Sequence, residues 1–65
     1  MVEIHVSNKY QVTFLFEWFC VKKNIPHKVV VDKGLLGLDT PFLVVDGVPL
    51  NTERSITWMN EKESE

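Results

Sequence analysis

The side chains able to carry chemistry are few and mostly solitary. Cys20 is the only thiol in 65 residues, so no internal disulfide and no dithiol exchange can be built from this chain. It falls inside an apolar run. A cysteine there behaves as a small hydrophobe, because a nucleophilic thiolate needs positive charge or a helix N-terminus beside it. His5 and His27 are expected on neighbouring strands, but no cysteine or carboxylate cluster stands at ligand spacing around them, and no metal site is predicted. The Lys22-Lys23 pair suits the solvated end of a helix. Phe14, Trp18 and Trp58 are first of all core residues, with Trp18 a contact candidate if its helix keeps an exposed apolar side.

The elements that must position these groups follow from periodicity. Val2, Ile4 and Val6 alternate with Glu3 and His5, which predicts a strand with one apolar face and one partly wet face. Ser7-Asn8 offers cap chemistry for a helix over residues 9–23. In it Val12, Leu15, Phe16 and Phe19 form one core stripe, and Phe14, Trp18 and Val21 a second. Asn24 suits a left-handed cap, and Ile25-Pro26 ends the helix. Residues 27–32, centred on three valines, predict a second strand, parallel to the first in a right-handed unit. Residues 33–39 form a loop with Gly34, Gly37, Leu35, Leu36 and Leu38. Two apolar runs, 42–45 and 48–50, flank Asp46-Gly47 and predict a hairpin, with Pro49 restricting its strand to the sheet edge. Asn51 or Thr52 caps a last helix to about residue 60, with Ile56 and Met59 inward and residues 61–65 a frayed tail.

Bulk properties narrow the function classes. A chain of 65 residues has room for a single domain, burying only about 60% of its unfolded surface. A net charge of −2 supplies no basic field for nucleic acid. The most apolar stretch, residues 12–21, is too short to span a bilayer and contains Glu17, so no membrane partner is expected. Residues 1–5 include Glu3 and His5, where a secretory signal would be continuously apolar. With a lone thiol, this predicts a cytoplasmic protein.

The order β-α-β-loop-β-β-α resembles the thioredoxin-fold core. The residues resemble glutaredoxins and the N-terminal domain of glutathione transferases. Lys22-Lys23-Asn24-Ile25-Pro26-His27 followed by Val29-Val30-Val31-Asp32 is similar to the family's helix exit and second strand. Asp39-Thr40-Pro41, then Phe42-Leu43-Val44-Val45-Asp46-Gly47, is similar to its proline-bearing segment, strand and turn. Leu50 to Met59, with Arg54, Ser55 and Ile56, resembles the start of its final helix. The resemblance implies an α/β, minimal thioredoxin-like fold with a mixed four-stranded sheet and a loop in place of the family's middle helix.

The resemblance also places the family's Cys-x-x-Cys on Tyr10-Gln11-Val12-Thr13, which carry no thiol. A redox-inactive binding module is therefore expected, without catalytic residues. Its inherited groove would comprise Tyr10, Gln11, Thr13, Thr40, Pro41, Thr52 and Glu53, with Trp18, Leu35 and Leu36 as contact candidates. Thr40 would pair through its backbone with an extended ligand, and Pro41 stands where the family has a cis proline. Thr52-Glu53 stands where the family holds the γ-glutamate of glutathione, and Glu53 would repel that carboxylate. The partner would be another protein or a second copy of the chain. The rival is a glutathione-dependent oxidoreductase or transferase that takes its thiol from bound glutathione and uses Tyr10 or Thr13 as donor. Loss of the middle helix leaves one sheet face to be covered by the loop leucines or by another chain.

Overall fold

The computed structural model describes residues 1–8, 14–32, 34 and 37–65. The chain is α/β. Strands β1 (Val2–Val6), β2 (His27–Val31), β3 (Phe42–Val45) and β4 (Val48–Leu50) form one mixed sheet in the order β2-β1-β3-β4. Helix α1 (Phe14–Lys22) joins β1 to β2, and α2 (Thr52–Glu63) follows β4. β1 and β2 are parallel, with Ile4 opposite Val29, whereas β1–β3 and β3–β4 are antiparallel. Among the described residues no helix is long and apolar enough to cross a membrane.

Two positive-φ turns that bound the regular elements fall where the residue types allow them. Asn24 (φ 56°) closes α1, and Asp46 (φ 50°) with Gly47 (φ 85°) joins β3 to β4. Both central turn residues in the left-handed region match the right-handed twist of the hairpin strands. In a two-residue hairpin Val45 and Val48 exchange hydrogen bonds, so Pro49 falls at the next, non-bonded pair. Its missing N–H faces the open edge and no ladder bond is lost.

The core lies between the sheet and the helices: Val2, Ile4, Val6 and Leu43 from the strands, Phe16, Phe19 and Cys20 from α1, and Met59 from α2. Trp58 adds an edge-on ring contact to Phe19 at 6.0 Å. Ser55, fully buried, ties α2 to the hairpin. Its hydroxyl accepts from the Leu43 N–H at 2.9 Å and donates to the Leu50 carbonyl at 3.0 Å.

Several expectations are corrected. Leu15 is 58% exposed and is no part of the core stripe. Among the described side chains of α1 the inward ones are Phe16, Phe19 and Cys20, spaced i, i+3, i+4, which turns Leu15 and Trp18 onto the flank. Trp18, at 65%, and Val21, at 63%, are solvent-facing. Ile56 is exposed because Ser55 and Met59 occupy the inward positions of α2. That helix does not fray at residue 61. It continues to Glu63, which Lys22 meets at 3.1 Å and Lys23 at 3.9 Å. Finally, the second sheet face is partly wet at Glu3, as expected, but not at His5, which is buried together with Phe42 and Val44 within the single chain. Of the loop leucines expected, as the alternative to another chain, to cover it, Leu38 is half-buried, and Leu35 and Leu36 lie outside the described residues.

Candidate functional site

The site suggested by the resemblance maps to the end of the sheet where β1 and β2 finish, β3 starts and α2 begins. Thr40 and Pro41, both half-buried, enter β3 through a cis peptide bond. Asn51 caps α2, its side-chain oxygen accepting from the Arg54 N–H at 2.8 Å. Thr52, first in the helix, turns its hydroxyl back to donate to the Pro41 carbonyl at 2.9 Å and the Asp39 carbonyl at 3.2 Å. The structure thus brings Thr40, Pro41, Thr52 and Glu53 to one place and locks the proline segment to the helix start.

That lock decides what the place can bind. The Thr52 hydroxyl hydrogen is shared between two backbone carbonyls, so it is not available to donate to a ligand. The α2 N-terminus attracts anions through its aligned amides, but Asn51 already accepts from one of them, and exposed Glu53 adds a negative charge beside the rest. An extended backbone segment lying along Thr40 needs neither group. Tyr10, Gln11 and Thr13 lie outside the described residues.

The contact candidate Trp18 stands elsewhere, over the groove between the two helices. Leu15, Trp18, Phe19 and Lys22 line it from α1, and Met59 and Glu63 from α2. The Lys22 ammonium sits 5.0 Å from the centre of the Trp18 ring, a cation–π contact. Cys20 faces the core at 1% exposure, and burial pushes its thiol pKa up. A thiol so placed is kept protonated and has no route to a disulfide sulfur.

One cluster escapes the sequence reading. His5, buried beneath β1, points Nδ1 at the Asp32 carboxylate at 2.8 Å and Nε2 at Glu3 at 2.9 Å, while its ring stacks on Phe42 at 4.8 Å. Asp32 also accepts from the Gly34 N–H at 2.7 Å, and Lys28 meets Glu3 at 3.6 Å. The hydrogen bond from His5, with help from Lys28, holds the Glu3 carboxyl below its ordinary value. The two carboxylates take opposite nitrogens of one ring and cannot converge on a single ion. Among the described residues no group of three or more His, Cys, Asp or Glu could hold a metal. The signal was present in the spacing: Glu3 and His5 share a face, and pairing His5 with Val30 puts Asp32 one pleat further on that same face. No protein-family model, curated protein sequence or solved structure matches this chain.

Proposed function

We propose that this chain is a redox-inactive, glutaredoxin-like module of thioredoxin type that works in the cytoplasm by binding a protein partner. The element order and the sheet order β2-β1-β3-β4 support that reading of the fold. The observation that carries the functional part is the position of Cys20: the one thiol is buried in the core and its pKa is raised, the opposite of what disulfide exchange requires. The partner's extended backbone runs past Thr40 and Pro41, and exposed Leu15 and Trp18 add apolar contact area.

An amide chemical-shift titration with reduced glutathione tests this directly. No saturable shifts at millimolar ligand are expected. Saturable shifts gathered at Thr40 and Thr52-Glu53 would instead favour the glutathione-dependent enzyme that borrows its thiol from the ligand. In the binding reading Cys20→Ser keeps partner affinity and loses about 1 kcal/mol of stability, since a hydroxyl replaces a sulfur in an apolar site. Disulfide-reduction turnover surviving in that variant would overturn the reading.

A further inference from the structure

The two edges of the sheet are not equivalent. The β4 edge is three residues long and carries Pro49, which withholds one donor from any incoming strand. The β2 edge is five residues long, without proline. Its hydrogen-bonding phase is set by two bonds at its ends: the Val2 N–H donates to the Pro26 carbonyl at 3.1 Å, and the Asp32 N–H to the Val6 carbonyl at 2.7 Å. In a parallel ladder this phase directs the N–H groups of residues 28, 30 and 32 toward β1. The N–H and C=O groups of His27, Val29 and Val31 therefore point outward.

Natural edges are commonly guarded by charge, lysine above all. Here the β2 lysine, Lys28, is exposed on the opposite face and leans toward Glu3, at 3.6 Å. What remains on the helix-side face of the edge is apolar: Val29 and Val31 are each 45% exposed.

We infer that β2 pairs antiparallel with β2 of a second copy about a two-fold axis at Val29, joining two sheets into one of eight strands. The outward groups of residues 27, 29 and 31 are symmetric about Val29. In this register each therefore meets its complement, with Val29 against Val29 of the copy and His27 against Val31. Lys28 then faces Val30 of the copy, so no like charges are opposed. A shift placing Lys28 against its own copy is penalised by repulsion. This edge is β2, whereas Thr40 and Pro41 lead into β3, so pairing and partner binding succeed or fail separately.

Analytical ultracentrifugation of the full chain from micromolar to millimolar concentration reads the pairing. A concentration-dependent rise to twice the chain mass is expected, with amide exchange at Val29 and Val31 slowing as the dimer forms. Val29→Lys opposes two ammonium groups on the axis and should weaken the dimer by about tenfold or more. Val29→Pro removes only an outward N–H and should do the same. Val48→Lys, on the far edge, should leave the mass unchanged. Far-ultraviolet circular dichroism verifies that each variant is folded, and Val29→Lys serves if the proline variant is not. A monomer at millimolar concentration overturns the inference, as does a dimer that both folded Val29 variants leave intact.

Discussion

The two faces of the sheet are both buried near β1, but by different physics. On one face Val2, Ile4 and Val6 meet the aromatic rings of α1, and the stabilisation is non-directional, proportional to apolar area. On the other, Phe42 and Val44 share the interior with an imidazole held between two carboxylates. That face depends on geometry: a buried polar group is tolerated only while each hydrogen bond is made, and losing one partner leaves the other desolvated and unpaired. The first face should respond to lost volume, the second to lost partners and to pH.

The largest effect separating them is expected from Ile4→Ala. Ile4 is fully buried, and removing three heavy atoms from such a site destabilises by about 3 kcal/mol, read by urea denaturation. For a chain this small that is a large part of the total. Next comes Asp32→Ala, which removes the partner of His5 Nδ1 and the acceptor of the Gly34 N–H and should destabilise by about 2 kcal/mol. If Asp32→Ala were neutral while Ile4→Ala behaved as stated, the second face would be held by Phe42 and Val44 alone. The smallest effect is a pH dependence. The Glu3 carboxyl is held below its ordinary value of 4.5 by the His5 hydrogen bond. Its contribution to stability is therefore present above that value and is lost as pH falls through the lowered folded value. Thermal melts of Glu3→Gln should show a shallower acid-side decline than the parent chain, and parallel curves would remove Glu3 from the network.

Most of the architecture was legible because it rests on local signals. Alternation at Val2, Ile4 and Val6, the Asp46-Gly47 turn and the proline in β4 each dictate backbone conformation within a few residues. The errors lie where a third element decides. Whether Leu15 or Cys20 faces inward depends on where α2 lies against α1, which helical spacing alone does not fix. The last turn of α2, through Glu63, is met by Lys22 and Lys23, some 40 residues away in sequence. At the candidate site, the sequence placed Thr52 near Pro41 but not its hydroxyl, which turns inward to the chain's own carbonyls. His5 was read as wet because an imidazole on a short strand has no partner until Asp32 arrives from the neighbouring one.

The Ser55 hydroxyl couples the hairpin to the helix that follows it. The second bonded pair of this two-residue hairpin sets Leu43 opposite Leu50. A side chain from α2 meets both residues as well, accepting from the Leu43 N–H and donating to the Leu50 carbonyl. The first turn of α2 is thus joined to both strands of the hairpin, and α2 cannot lift away without breaking both of these hydrogen bonds. Hairpin and helix should open together as one cooperative unit, with matching amide-exchange protection, although they are separate elements in the chain.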